Sequence, residues 1–566
     1  MNSDLPSRHA ETPAQWSPNF GYLPQGPKDW SKDRPMRIAV LGDFSASAAQ
    51  SPALTGPALV QAARPCAVEF DSVDALLTRL APRLHLPLGP NGTTVEIGFK
   101  TMEDFHPDAL FDRLEIFRVL ASLRRRLLSP SSFAGAAAEL MHPVVPAPEL
   151  AGTASAVGAQ AQAARNASGV VLPSDARLSD FARLVGVPVT TPRVVDSSID
   201  ALLRHVVAPH VQPAVDPRRD ELVASVDASL ADLMRNVLHH PQFQALESLW
   251  RGLDFLLRRI ETGADLTVHV MDVSVLSFAA DLVASDDLSA SALYELLVER
   301  PFGDADGGYT WVLGCYQLDA TPAHAELLGR IAGIAQCADC VFISGVQAAP
   351  FAVAASSPNA PHPLTVYAWQ ALRALGAADH LALVAPHFML RYPYGRRSDP
   401  IERFGFEEFN EHEGLRALLW GHAAWLLASV LTQPDAQDHD AVVDELPFHF
   451  ALDRHGDQVA LPCTDLWVGS DAATRLAQQG LVGVVGRRGL PQVTLAPLQT
   501  LAGQTLHGKR QRRRGQPFGT AASPRGALAA VLEAEFDKLL AARAAPADSG
   551  LSRDPGLDAL IAGSGG

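Results

Sequence analysis

The sequence predicts a mixed α/β protein, built as two α/β domains joined by a flexible linker. Three observations carry that reading. Short apolar runs such as Arg37-Ile38-Ala39-Val40-Leu41-Gly42 and Val341-Phe342-Ile343-Ser344 alternate with helical periods, the pattern of a sheet covered by helices. After His240-Pro241, apolar residues fall at Phe243, Leu246, Trp250, Leu253, Leu257 and Ile260, a three-four alternation that lays one stripe along a helix. From Ser129 to about Asp175 the composition turns to Ala, Pro, Gly, Ser and Gln, which divides the chain.

At 566 residues the chain is too long for one compact core, and 47% hydrophobic with 19% charged residues fits a soluble globular protein. A formal net charge of −16 argues against wholesale nucleic-acid binding. The first thirty residues lack a basic start followed by an apolar run, and the apolar stretch Ala417 to Leu431 is too short to cross a bilayer comfortably and contains His422. Five scattered cysteines fit a reducing compartment. These features predict a cytoplasmic protein without membrane insertion.

Taken in order, residues 1–35 are polar and rich in Pro and read as a flexible arm, in which an extended Phe20 to Leu23 could add an edge to a neighbour. A first domain spans 36–128. It opens on a buried strand from Arg37, followed by strands at Ala67 to Phe70 and Val95 to Phe99 and a helix from Val73 to Leu84. Pro107 starts another helix, whose period continues through Leu110, Leu114, Phe117 and Leu120. The linker occupies 129–175.

A second domain spans 176–507, with short helices at Leu178 to Val185 and around Ile199 to Val207. It then carries two tandem helices over Val226 to Ile260, which meet at His239-His240. Pro241 suits a first helical position, and Glu247/Arg251 and Asp254/Arg258 form i,i+4 pairs expected on the solvent side. Strands follow at Leu266 to Val270, Thr310 to Gly314, Val341 to Ser344 and His380 to Val384, with helices at Asp272 to Ala284 and Pro322 to Ala338. Residues 508–566 hold the basic run Gly508 to Gly515, a helix at Ala527 to Arg543 and a Gly/Ser end.

The wording of three stretches adds to their periodicity. Leu238 to Leu257 (LHHPQFQALESLWRGLDFLL), Pro386 to Gly395 (PHFMLRYPYG) and Leu419 to Ala424 (LWGHAA) resemble, in that order, motifs of the large sheath subunit (TssC type) of bacterial type VI secretion systems. The family writes the last of these as "LWGNAA". LGDFS at 41–45, Val68 to Leu84 and the stretch after Met102 (MEDFHPDAL) resemble the small sheath subunit (TssB type). The two resemblances cover about 222–505 and 36–128.

They imply a fused small-plus-large subunit of a contractile sheath. Such a sheath assembles around an inner tube, neighbours exchange strands at their edges, and contraction drives protein export. Implied partners are copies of the chain or separate sheath subunits, the inner-tube protein, baseplate components and an AAA-class unfoldase; no enzyme activity and no cofactor are implied. The alternative is a non-polymerising accessory of the same apparatus, such as a cap, baseplate adaptor or regulator. The motif positions expected to serve structure or assembly are Asp104, Phe105 and Pro107; Pro241, Phe243, Glu247, Trp250, Arg251 and Gly252; Arg391, Pro393, Tyr394 and Gly395; and Trp420, Gly421 and Ala424.

Motifs of catalysis are weak by comparison. Cys337-Ala338-Asp339-Cys340 has C-x-x-C spacing but no second pair to complete four ligands, and its apolar flanks favour core cysteines. Gly480, Gly483 and Gly486 have the wrong spacing for a dinucleotide or phosphate loop. The adjacent His239 and His240 suit a cap and turn better than a metal. The basic run from Lys509 to Arg514 has no interleaved aromatic residues and reads as a solvated linker or a contact to an acidic neighbour.

Overall fold

The computed structural model describes residues 17–24, 26, 35–47, 56–88, 94–141, 218–303, 307–353, 357, 360–410, 413–433, 441–452 and 457–506. The expected helices at Leu178 to Val185, Ile199 to Val207 and Ala527 to Arg543 and the basic run lie outside them.

The first ordered strand decides the architecture. β1 (Met36–Gly42) is buried along its whole length: Ile38 to Leu41 are apolar on both faces, and the one charged residue, Arg37, is buried with its guanidinium donating to the Gly307 carbonyl. The segment then gives α1 (Pro57–Ala62), β2 (Cys66–Val68), α2 (Val73–Leu80), β3 (Arg83–Pro87) and β4 (Thr94–Gly98). α3 (Pro107–Arg113), α4 (Glu115–Leu128) and α5 (Phe133–Met141) complete it.

Four expectations are corrected here. The helix from Val73 stops at Leu80, because Ala81 turns left-handed (φ 45°) and Pro82 follows; Leu84 lies instead in β3, paired with Ile97 of β4. Phe70 belongs to a turn of 3-10 helix, so β2 ends at Val68. The helix from Pro107 breaks at Leu114, an extended residue that ends α3 and precedes α4. Part of the expected linker is a helix, since α5 packs on α4 and Arg126 pairs with Glu139 at 2.5 Å.

The second segment begins with α6 (Arg219–Leu238) and α7 (Pro241–Arg259), then β5 (Leu266–Asp272), α8 (Val275–Val283), β6 (Trp311–Gly314), α9 (Pro322–Cys337) and β7 (Val341–Gly345). It continues through α10 (Pro363–Arg373), β8 (Leu381–Ala385), β9 (Phe388–Met389), β10 (Trp420–Gly421), α11 (Ala424–Leu431) and β11 (Ala441–Val443). The hairpin β12 (Phe450–Leu452) and β13 (Gln458–Ala460), α12 (Ser470–Gln478), β14 (Leu481–Gly486) and β15 (Val493–Ala496) close the described part.

Nine strands form one sheet in the order β11-β15-β14-β8-β7-β6-β1-β5-β2. β1 lies between β5 and β6, parallel to both, with Val40 opposite Val270 on one side and Leu313 on the other. Both segments therefore share a single sheet, and the N-terminal one supplies a central strand as well as the edge strand β2. Alternate residues of β1 serve opposite faces: Ile38 and Val40 join the apolar cluster under α4, α6, α7 and α11, while Ala39 and Leu41 join the cluster under α8 and α9. Removing β1 would leave β5 and β6 with unpaired backbone groups in the core.

The N-terminal arm also differs from the expectation within residues 17–24. Tyr22 bridges to Asp287, with its N–H donating to the Asp286 carbonyl (2.8 Å) and its carbonyl accepting from Leu288 (3.0 Å), so this stretch is bound to its own chain.

Candidate structural site: a buried arginine–glutamate cluster at the helix junction

α7 begins where the tandem-helix reading placed it. Pro241 stands at the first helical position, and the His240 ring accepts from the Gln242 N–H, so His240 caps α7 while His239 ends α6. Phe243, Leu246, Trp250, Leu253 and Leu257 are buried as the stripe requires. Asp254 and Arg258 form the expected outer pair at 2.7 Å. Glu247 does not lie on the solvent side: it is 0% exposed, because a guanidinium distant in sequence reaches it inside the fold.

That guanidinium is Arg391. Its Nε donates to Glu247 Oε1 at 2.8 Å, and its Nη1 and Nη2 donate to Glu408 at 2.7 and 2.9 Å, so one planar fork serves two carboxylates. Arg251 donates to Glu247 (2.7 Å) and to the Tyr394 hydroxyl (3.0 Å), and the Tyr394 N–H donates to Glu408 (2.7 Å). The Arg391 guanidinium also lies 4.1 Å over the Tyr394 ring. Burial alone would raise the Glu408 carboxyl, but Arg391, His239 and the Tyr394 N–H outweigh it and hold its pKa at about 2. Burial likewise pushes the Tyr394 phenol up, and pushes Arg391 down less than the carboxylates push it up.

The His239 ring sits between two acids, 2.5 Å from Glu413 and 3.7 Å from Glu408. A Cβ at Gly395 would displace the Glu407 carboxylate, the movable end of its side chain, while Pro393 is buried in the same turn. The motif residues Glu247, Arg251, Arg391, Pro393, Tyr394 and Gly395 thus come together. Glu408 and Glu413 were missed, and His239 was read as a cap and turn residue without its acidic partners; the sequence signal for the acids was the pair in Phe406-Glu407-Glu408-Phe409, placed between aromatic residues.

The cluster reaches the N-terminal segment. The His106 ring meets Tyr394 edge-on at 5.0 Å, and the Asp108 carboxylate accepts from the Glu402 and Arg403 N–H groups at 3.0 and 3.1 Å. Arg124 on α4 pairs with Asp227 on α6 at 2.5 Å. Asp104 accepts from the Lys100 and Thr101 N–H groups and pairs with Arg113, while Pro107 opens α3. This holds Phe105 stacked on Phe99 (4.3 Å) and edge-on to Phe243 of α7 (5.9 Å).

A second contact lies further along α7. Trp250 is fully buried and its Nε1 donates to the Phe44 carbonyl at 3.1 Å. Gly252 is obligatory in the packing, since a Cβ would collide with Trp425. Ser248 donates to the Trp420 carbonyl (2.7 Å), Gly421 pairs with Phe388, and Ala424 is buried at the start of α11. Cys337 and Cys340 are both buried in the apolar cluster under α9, as core cysteines.

His422, which stands where the resembled motif has Asn, is buried with Nε2 3.0 Å from both the Gly345 N–H and the Tyr316 carbonyl. Burial, with His387 nearby, lowers its pKa to about 3. The unfolded imidazole binds its proton near pH 6.5, so stability is lost as pH falls from there towards 3, at about 1.4 kcal/mol per pH unit. Melting curves for His422→Asn between pH 7.5 and 5 should fall less steeply than those of the parent; parallel curves would remove His422 as the cause.

The motif geometry coincides with a family match. Residues 220–502 match the family described as EvpB/VC_A0108, tail sheath N-terminal domain. The chain belongs to this tail-sheath family. Residues 25–141 match a second description, Type VI secretion system, VipA, VC_A0107 or Hcp2. The Type VI secretion system sheath protein TssC1 of Pseudomonas aeruginosa is 27% identical over 291 residues, covering 48% of this chain and 58% of that protein. The chain thus spans rather over half the length of this curated relative. Both family segments meet in the shared sheet, and the second match includes α5, which composition alone had assigned to the linker. Among the described residues no helix is long and apolar enough to cross a membrane.

Proposed function

We propose that the chain is a small-plus-large building block of a type VI secretion sheath, fused in one polypeptide. It assembles in the cytoplasm around an inner tube and contracts to drive protein export. The observation that carries this reading is β1, which lets a small-subunit-like segment complete the sheet of a large-subunit-like one. Fusion raises the effective concentration of the two segments to about millimolar, which removes most of the cost of bringing them together. Its partners on this reading are copies of itself or separate sheath subunits, the inner-tube protein, baseplate components and an AAA-class unfoldase. No catalytic role is assigned; the work of contraction comes from two packings of the same subunit interfaces.

A second reading, a non-polymerising accessory of the same apparatus, is favoured by residues 17–24, which engage their own chain rather than an edge offered to a neighbour. Electron microscopy of the purified chain, alone and mixed with separate small and large subunits, distinguishes the two. Tubes that incorporate the chain are expected; a chain that stays monomeric in both preparations would overturn the sheath assignment in favour of the accessory.

A further inference from the structure

The outer face of α9 has a gap in its side-chain cover at Gly329 and, one turn on, at Gly333. The stretch Asn19-Phe20-Gly21-Tyr22-Leu23 lies across it. The Phe20 ring occupies the space over Gly329, where any Cβ would collide with it, and Leu23 stands over Gly333 at 3.4 Å from the Cβ position. Between these glycines, Arg330 is 5% exposed and fixes both walls. Its Nε donates to the Asn19 carbonyl at 3.1 Å, Nη1 to the Leu282 and Ser285 carbonyls at 3.0 Å, and Nη2 to Asp286 at 2.9 Å.

The remaining contacts read the sequence of the segment. The Asn19 side chain donates to Asp286 (2.9 Å) and accepts from the Gly21 N–H (3.0 Å), while its backbone N–H donates to Glu326 (3.1 Å). Gly21 has φ 67°, and a Cβ there would come within 3.0 Å of the Asp286 carbonyl and of Leu288, so the position accepts glycine alone. Tyr22 contributes only its backbone bridge, its side chain being 58% exposed.

From this geometry we infer that the α9 groove, with the 286–288 backbone as its second wall, is a peptide-binding site specific for Asn-Phe-Gly-x-Leu, occupied in this chain by residues 19–23. Each specified position has its own receptor group: Asp286 for the Asn side chain, the Gly329 hollow for Phe, the crowded backbone for Gly, and Gly333 for Leu, while Glu326 and Arg330 hold the backbone of residue 19 whatever its side chain. Recognition therefore does not depend on the covalent connection to β1. Any partner presenting this extended sequence would compete for the groove with the chain's own segment.

The test uses a fluorescent peptide of residues 17–25, SPNFGYLPQ, titrated by anisotropy into the chain lacking residues 1–24. Saturable binding below about 1 mM is expected. Phe20→Ala or Gly21→Ala in the peptide should weaken it at least about tenfold, and Tyr22→Ala should change it less than about threefold.

A second measurement covers a truncated chain that does not fold. A protease site is placed between residues 28 and 33 of the full chain and cut. The released N-terminal fragment should co-elute with the body and be displaced by excess SPNFGYLPQ, not by its Phe20→Ala form. A fragment that dissociates on cutting, or displacement by both peptides alike, overturns the inference.

Discussion

Replacing Arg391 by leucine is expected to destabilise the fold by about 3–5 kcal/mol, because it leaves buried carboxylates without their counter-charge. Glu247 would retain Arg251, but Glu408 would lose both guanidinium bonds while keeping the Tyr394 N–H. The pH dependence carries a sign that a simple loss of packing would not. In the parent, Glu408 is held at about 2, below its ordinary 4.5, so its contribution is present above pH 4.5 and lost as pH falls towards 2. Without Arg391, burial dominates and raises that carboxyl, so the difference between variant and parent should narrow as pH falls. Adding Glu408→Gln to the variant should recover part of the loss. Denaturant midpoints read all three outcomes, and a single variant within 1 kcal/mol of the parent (about the scale of a surface pair) would show that the cluster is not a structural lock.

Trp250→Ala is expected to cost a similar amount, about 3–5 kcal/mol, for a different reason. The indole is fully buried, meets Phe44 edge-on at 5.2 Å and donates to the Phe44 carbonyl. Since Phe44 follows β1, truncation opens a cavity where the N-terminal segment rests on α7 and also leaves a buried carbonyl unpaired. The loss should therefore appear as weaker attachment of the N-terminal segment, read by faster amide exchange in β1. Unchanged exchange together with an unchanged midpoint would contradict the placement of Trp250 at that junction.

These two residues also show how far sequence reasoning reached. Trp250 was legible because its burial follows from a stripe within one helix, and β1 was legible because Ile38 to Leu41 are apolar on both faces, although the burial of Arg37 beside them was not. Arg391 and Gly395 were marked by wording alone, and their purpose was not. The i,i+4 rule placed Glu247 with Arg251 on the surface because a local rule cannot register Arg391, 144 residues away. Glu408 carried no periodic signal for the same reason.

The end of α2 was marked in the sequence by Pro82, which a helix rarely runs through, but the apolar period continued to Leu84 across it; the left-handed turn at Ala81 itself left no mark. The period after Pro107 ran straight through Leu114 because an extended residue that keeps its apolar side chain inward does not disturb the pattern. Above all, periodicity identifies strands without giving their neighbours, so nothing local indicated that β1 would lie between β5 and β6.

The shared sheet is the central claim, and cutting the chain tests it most directly. A protease site inserted between residues 142 and 217, cleaved after folding, separates the two segments covalently without touching a described element after α5. The pieces are expected to co-elute on a sizing column and to unfold in one transition, since each lacks strands that the other supplies. Two pieces that separate cleanly, each folded and melting on its own, would contradict a sheet built by both.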